Sequence, residues 1–267
     1  PMLNVAMFGA SGRMGRTIVP LVAESSDFRL SGALAAAADP SIGHDAGVVA
    51  GVAPLAVSIT SDPERALDGA QVVIDFTLPA ATPDHARRCL AHAVPMVIGT
   101  TGHDELALGE LRKVAERLPI VMAPNMSLGV NLLFKLAELA ARALDTSYDA
   151  EIVEAHHRHK VDAPSGTALG LGRAVAQGRG TSLDTAAVYA RQGATGPRPT
   201  GAIGFSVVRG GDIVGDHRVI FAGPGEQIEL AHHAQDRSGF ARGALVAARW
   251  VVGRPPGLYS MLDVLGL

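Results

Sequence analysis

The chain has one cysteine, Cys89, among its 267 residues. No disulfide can close within it, and a reducing cytoplasm is the expected setting. Aromatic residues make up only 4 % of the sequence, with a single tryptophan. Packing must therefore rest on aliphatic side chains and close backbone approach, for which 31 glycines are available. Charge is sparse and nearly balanced, with a formal net charge of -3. Such a chain has no global attraction to nucleic acid or to an anionic membrane, and an anionic substrate would need a local basic patch. No apolar run approaches the roughly 20 residues of a membrane helix. Met2-Leu3-Asn4 lacks the basic and apolar regions of a secretory signal. What is present is a hydrophobic content of 48 %, which suits a globular chain of one large or two modest domains.

Short apolar runs alternate with helical patterns through the first half. Leu3 to Gly9, Leu30 to Leu34, Val72 to Phe76, Pro95 to Gly99 and Pro119 to Met122 read as strands. Arg13 to Ala23, Pro83 to Ala93 and Glu105 to Arg117 read as the helices between them. Near-continuous apolar strands of this kind belong to a parallel sheet covered on both faces. The expected fold class is α/β, with an N-terminal doubly wound Rossmann-like sheet. The rhythm changes after Asn125. A long amphipathic helix carries Leu132, Leu133, Leu136, Leu139, Ala140 and Ala143, and a strand comes next at Ala150 to Ala155. A helix is expected over Pro164 to Gln177, then strands at Ala202 to Val208, His217 to Phe221 and Gln227 to His232. Gly223-Pro224-Gly225-Glu226 marks a hairpin between the last two. This order predicts a C-terminal α+β domain with an open mixed sheet. Phe240 to Val252 reads as a helix whose apolar face returns to the first domain. The expected division is residues 1–126 with 238–267 as a dinucleotide-binding domain, and 127–237 as a substrate-binding and oligomerisation domain.

Two stretches carry chemistry. Gly9-Ala10-Ser11-Gly12-Arg13-Met14-Gly15 is G-x-x-G-x-x-G between a strand and a helix. Glycines there let backbone N–H groups approach a pyrophosphate, and the helix N-terminus supplies favourable partial charge. The competing reading is a turn that only permits helix–strand packing. After the second strand the sequence runs Leu34-Ala35-Ala36-Ala37-Ala38-Asp39. The acid that usually meets the ribose hydroxyls is missing directly after that strand, and Asp39 arrives late enough to serve as a turn cap. This leaves NADH and NADPH undistinguished.

The second stretch is Glu154-Ala155-His156-His157-Arg158-His159-Lys160-Val161-Asp162-Ala163-Pro164-Ser165-Gly166-Thr167. Its histidines could be metal ligands, a solvated basic loop or part of a basic pocket. No cysteine partner and no H-x-x-x-H spacing supports a metal, and no metal is expected. The residues after the histidines favour the pocket. Ser165 can cap a helix start, and free N–H groups at Gly166 with the Thr167 hydroxyl would hold a carboxylate. Proton-carrying side chains beside an anion cradle fit the reduction of a small carboxylated molecule.

This second stretch resembles the signature of the 4-hydroxy-tetrahydrodipicolinate (dihydrodipicolinate) reductase family, and the resemblance extends over essentially the whole chain. Val5 to Gly15, Asp75-Phe76-Thr77, Val97 to Gly102, Ala123 to Asn131, Gly201 to Phe205 and Arg209 to His217 are similar to further family segments. The resemblance implies NADH- or NADPH-dependent reduction, with loss of water, of a cyclic imine dicarboxylate on the diaminopimelate route to lysine. It implies catalytic roles for His156 and Lys160, and substrate contacts from His157, Ser165, Gly166 and Thr167. It implies cofactor contacts from Gly9-Ala10-Ser11-Gly12-Arg13-Met14, from Gly99-Thr100-Thr101 and from Ala123-Pro124-Asn125-Met126. It further implies a homotetramer assembled through the C-terminal sheet. Two departures stand out: Ala35-Ala36 replaces an acid–arginine pair common in relatives, and Met126 stands where an aromatic is frequent. The competing functions are a different two-domain dehydrogenase acting on an amino or imino acid, and a dinucleotide-sensing module without turnover. The His-Lys stretch separates the reductase from both.

Overall fold

The computed structural model describes residues 2–267. Its elements run β1 (Leu3–Phe8), α1 (Arg13–Glu24), β2 (Phe28–Leu34), α2 (Ala46–Val49), α3 (Pro63–Leu67), β3 (Val72–Asp75), α4 (Thr82–Ala91), β4 (Met96–Ile98), α5 (Glu105–Ala115) and β5 (Pro119–Met122). Next come α6 (Leu128–Ala143), β6 (Asp149–His156), α7 (Gly166–Gly178), α8 (Leu183–Ala186), β7 (Ala187–Val188), β8 (Ile203–Arg209), β9 (Gly215–Gly223) and β10 (Glu226–Ala234). The chain ends with α9 (Ser238–Val251), β11 (Gly257–Tyr259) and α10 (Met261–Leu265). The described residues form two compact units, 2–128 with 237–267, and Gly129–Asp236.

The first unit is a Rossmann-like α/β layer structure. Its six strands lie in the order β11-β5-β4-β3-β1-β2, and every pairing is parallel. The continuous apolar runs have a simple cause. Val5, Met7, Val72, Ile74, Val97 and Val121 point to one face, where they pack with Ile18 and Val22 of α1 and Ala244 and Ala248 of α9. Ala6, Phe8, Val73, Met96, Ile98 and Ile120 point to the other, against Ala86 and Cys89 of α4 and Leu111 and Val114 of α5. β1, β3, β4 and β5 thus each feed two cores, so neither of their faces can be polar. Strand order reverses between β1 and β3, and the glycine-rich loop leaves the sheet at that switch point. Sequence periodicity misses β11, whose three residues come just after Pro255-Pro256.

The second unit holds a five-stranded mixed sheet in the order β10-β9-β6-β8-β7. β6 pairs parallel with β8 and antiparallel with β9, and β9 pairs antiparallel with β10. One face packs on α6 and α7 through Ala150, Ile152, Ile203, Phe205, Val219 and Phe221 against Leu133, Ala137, Leu171 and Val175. β6 alternates strictly, with every second residue buried from Ala150 to His156. The same inward face therefore begins as Ala150 and Ile152 and ends as Glu154 and His156. The hairpin falls where the glycines indicate, with Gly225 at a φ of 81° between β9 and β10. Helix α7 begins at Gly166 rather than Pro164, because the Ser165 side chain takes the cap position.

Candidate functional site

In the first unit the loops after β1, β3, β4 and β5 all leave the carboxyl ends of adjacent parallel strands, the edge at which such sheets bind ligands. They carry Gly9 to Met14, Asp75 to Thr77, Gly99 to Thr101 and Ala123 to Met126. Gly9 has a φ of 84°, and a Cβ there would stand 2.1 Å from the Phe76 carbonyl oxygen. The N–H groups of Gly9 and Ala10 both donate to the Leu34 carbonyl at 2.9 Å. A Cβ at Gly15 would stand 2.2 Å from the Gly9 carbonyl oxygen, so this glycine lets α1 press against its own loop. Gly12, exposed at the start of α1, gives the first turn no side-chain cap, and no acid lies in that turn. An uncapped first turn beside Arg13 fits a pyrophosphate.

Asp39 is drawn into this loop. Its carboxylate accepts from Ser11 Oγ at 2.6 Å and from the Ser41 N–H at 2.8 Å. The Ser11 hydrogen bond is the main reason its carboxyl is held below the usual range, with Arg16 contributing. Arg16 Nε donates to the Ser11 carbonyl at 2.8 Å. The link between the glycine loop and Asp39 is absent from the sequence pattern, because residue 39 lies so far beyond the strand.

Asp75, at the end of β3, is fully buried. It accepts from Thr77 Oγ1 at 2.7 Å and Thr100 Oγ1 at 2.8 Å, and lies 2.7 Å from His85 Nδ1. This network locks the β3 and β4 loops together. The Thr100 hydroxyl is thereby committed to Asp75, and the Phe76 ring lies where a Cβ at Gly99 would be. Thr101 is exposed. Met126 is buried in the core shared with α1 and α9. Asn125 Oδ1 accepts from the Ser127 N–H at 2.9 Å.

The second unit builds its site at the polar end of the β6 inward face. Glu154, only 1 % exposed, makes four hydrogen bonds. Its Oε2 lies 2.6 Å from His156 Nδ1 and accepts from Arg209 Nη1 at 2.7 Å. Its Oε1 accepts from Arg209 Nη2 at 2.8 Å and from the Ser165 N–H at 2.9 Å. Burial works against this charge, but the bonds from Arg209, His156 and Ser165 outweigh it and hold the carboxyl below its ordinary value. Arg209 Nη2 also donates to the Asp162 carbonyl at 2.8 Å.

Ser165 is buried. Its hydroxyl accepts from the Ala168 N–H at 3.1 Å and lies 3.0 Å from His217 Nε2. His217, from β9, meets the His156 ring edge-on with centroids 4.9 Å apart. Burial pushes its pKa down to about 4, with His156 adding to the shift, so His217 is neutral near pH 7. Lys160 Nζ pairs with Asp162 Oδ1 at 2.8 Å, which lowers the Asp162 carboxyl. His157 is half-buried, and its ring centroid lies 6.2 Å from that of His159. At Gly166 a Cβ would meet nothing within 4 Å, so the first turn of α7 is open at that point.

Thus His156, Ser165 and the start of α7 are drawn together around Glu154, while Lys160 is anchored beside them through Asp162. Sequence patterns do not single out Glu154, Arg209 and His217 for this site. A signal is present all the same: the alternation of β6 puts Glu154 on the same face as Ile152, and a carboxylate facing a core demands a cation and N–H donors.

Comparison with known proteins covers nearly the full length. Residues 3–126 match the family described as dihydrodipicolinate reductase, N-terminus, and residues 129–265 match dihydrodipicolinate reductase, C-terminus. The 4-hydroxy-tetrahydrodipicolinate reductase of Thiobacillus denitrificans is 56 % identical over 265 residues, covering 99 % of each chain. That of Nitrosomonas europaea is 52 % identical over 265 residues, covering 99 % of this chain and 98 % of its own. Among solved structures, a dipicolinate-bound dihydrodipicolinate reductase from Paenisporosarcina sp. TG-14 superposes with a TM-score of 0.80 at 27 % identity, covering 98 % of this chain and 99 % of that one. An amine dehydrogenase from Mycobacterium smegmatis shares the fold, with a TM-score of 0.62 at 13 % identity, covering 97 % of this chain and 95 % of that one.

Proposed function

The chain belongs to the dihydrodipicolinate reductase family and is an oxidoreductase using a nicotinamide dinucleotide, and from that premise we propose its reaction and the residues that perform it. The reaction is reduction of (2S,4S)-4-hydroxy-2,3,4,5-tetrahydrodipicolinate to tetrahydrodipicolinate, in the diaminopimelate route to lysine. One hydride and one proton are taken up and one water is lost. The first unit is the dinucleotide-binding domain, and the second is the substrate-binding and oligomerisation domain. The dinucleotide, NADH or NADPH, supplies the hydride when bound.

The observation that carries this reading is the buried Glu154–His156 pair beside the Ser165-capped start of α7. An imidazole held by a carboxylate can take and return a proton at its other nitrogen. The first-turn N–H groups at Gly166 and Thr167, with the positive end of α7, attract a substrate carboxylate. Ser165 serves that cradle by fixing its first turn, and His157 adds a polar ring from the adjoining loop. Lys160, with its ammonium anchored by Asp162, supplies charge and a proton source near the carboxylates. In the first unit, Gly9 to Met14 receive the pyrophosphate, while Gly99 to Thr101 and Ala123 to Met126 line the remainder of the dinucleotide. We further propose a cytoplasmic homotetramer joined through the second unit's sheet.

The decisive assay supplies the cyclic imine with NADH or NADPH and monitors loss of the dihydronicotinamide absorbance. Turnover is expected with the imine and not with aspartate or simple amino acids. His156→Ala and Lys160→Ala should each lower kcat by roughly 10²–10⁴-fold, with dinucleotide binding retained. A folded His156→Ala variant keeping more than about half of kcat would remove His156 from the chemistry.

A further inference from the structure

We propose that Glu154, held ionised by Arg209, is the positioning residue that decides which nitrogen of His156 exchanges the proton; this rests on the reductase reading above. The two ring nitrogens have different surroundings. Nδ1 lies 2.6 Å from Glu154 Oε2. An ionised carboxylate can only accept, so the proton between them belongs to Nδ1. Neutral His156 is therefore the Nδ1–H tautomer, and Nε2 carries the lone pair.

Nε2 has no carboxylate against it. A Cβ at Gly215 would stand 3.1 Å from it, so glycine at that position keeps a side chain from crowding this nitrogen. The neighbouring ring, His217, is turned to Ser165 Oγ through its Nε2 at 3.0 Å, and its Nδ1 makes no hydrogen bond to the Glu154 carboxylate.

The carboxylate has no freedom to turn. Arg209 grips both of its oxygens, at 2.7 and 2.8 Å, and the Ser165 N–H takes Oε1 from a third direction. Arg209 is itself tied to the Asp162 carbonyl. One buried carboxylate thereby orients the proton-carrying ring and fixes the first residue of the anion cradle. A purely structural Glu154 would need this packing too, but it would be indifferent to the tautomer of His156.

Glu154→Gln separates the two. Each oxygen receives two donors, but Ser165 N–H and Arg209 can only donate whereas an imidazole nitrogen can turn acceptor, so the amide oxygen of the variant is drawn to the Oε1 side. The amide NH2 then faces His156, whose Nδ1 must accept, and the proton moves to Nε2. The ring would remain in place with the wrong nitrogen free. General acid–base catalysis is typically worth about 10²–10⁴-fold, and holding the wrong tautomer in an intact geometry can cost about 10⁴-fold in turnover.

The test uses the full-length protein with 15N-labelled histidine, in alkaline buffer, with and without Glu154→Gln. One-bond and long-range 1H–15N correlations identify the tautomer of His156. The expected result is Nδ1–H in the unmodified protein and Nε2–H in Glu154→Gln. Its kcat should fall by on the order of 100-fold or more, with the imine KM and NADH Kd each within about 3-fold. Glu154→Asp should recover part of kcat, since it restores the charge. An Nε2–H tautomer in the unmodified protein overturns the proposal without needing any variant to fold. So does a folded Glu154→Gln that keeps the Nδ1–H tautomer or most of its kcat. Failure of the unmodified protein to reduce the cyclic imine would instead sink the reductase reading, which the tautomer measurement does not touch.

Discussion

At position 217 an imidazole is 5 % exposed, and burial with the nearby His156 pushes its pKa to about 4, against an ordinary 6.5. The folded state therefore prefers it neutral, whereas the unfolded chain protonates it near pH 6.5. Its contribution to stability is accordingly fully present above pH 6.5 and is lost as pH falls towards 4. The gap between the two values corresponds to about 3 kcal/mol, an order-of-magnitude figure. His217→Gln keeps a polar group beside Ser165 but cannot titrate. Urea unfolding near neutral pH and at about pH 4.5 should show a smaller acid loss in the variant than in the parent. Equal losses would mean that His217 does not govern acid tolerance. A second residue bears on the cofactor. Asp39 is ionised and bound to Ser11 in the glycine loop, which disfavours a ribose 2′-phosphate, while Arg16 in the first turn of α1 offsets it. We expect both dinucleotides to bind, with Kd values differing by less than ~100-fold, or about 2.7 kcal/mol. Asp39→Asn should shift the Kd ratio towards NADPH by a few-fold in fluorescence titrations. A ratio beyond ~100-fold, or an unmoved ratio in the variant, would show that the ribose is read elsewhere.

At the scale of single elements, two helical glycines make opposite predictions. Alanine usually favours a helix over glycine by roughly 1 kcal/mol. In α9, however, a Cβ at Gly243 would stand 1.8 Å from the Met126 carbonyl oxygen. Backbone must move, so Gly243→Ala should destabilise by about 1–3 kcal/mol despite the helical gain. At Gly166 the same Cβ meets nothing within 4 Å, and Gly166→Ala should leave stability within about 0.5 kcal/mol of the parent. Thermal unfolding of both variants checks the contrast, and a stabilised Gly243→Ala would contradict the close approach. The same elements show what is legible in the sequence. β1, β3, β4 and β5 can be read because each feeds two cores and so carries an unbroken apolar run. The start of α7 can be read because Ser165 is a good cap. β11 cannot, since three residues after two prolines have no periodicity and become a strand only by pairing with β5. The short α2 and α3 are hidden as well; their start signals, Asp45 and Asp62 capping backbone N–H groups, lie in loop-like sequence. At the site, His156 and Lys160 are legible from their chemical type. Glu154, Arg209 and His217 sit on three different strands, and only the β6–β8 and β6–β9 pairings bring them together.

At the scale of the molecule, the two sheets face different demands. The first unit covers both faces of its sheet with its own helices. The second unit covers one face with α6 and α7, and its other face carries a different set of side chains. Register puts Val153 beside Ser206 and Arg218, and Ala155 beside Val208 and Asp216, all on that outer face. Val208 is 48 % exposed in the single chain. Around this small apolar stripe stand paired charges: Arg218 with Glu229, His233 with Asp216, and Glu151 with Arg191 and Arg198. Small side chains allow a second sheet to approach to about 10 Å. Charge pairs of both signs on one surface can complement their own copies across a two-fold axis. An exposed apolar stripe with a polar rim is also what an association surface looks like. These features support the homotetramer that the family resemblance implies. Light scattering at micromolar concentration should give a mass several times that of one chain. Val208→Glu places an unpaired charge in the centre of the stripe and should shift the protein to smaller species. Its circular dichroism should be unchanged, because position 208 contributes nothing to the inward core. A monomer in the unmodified protein would sink the assembly outright. An intact tetramer in Val208→Glu would move the interface to another surface.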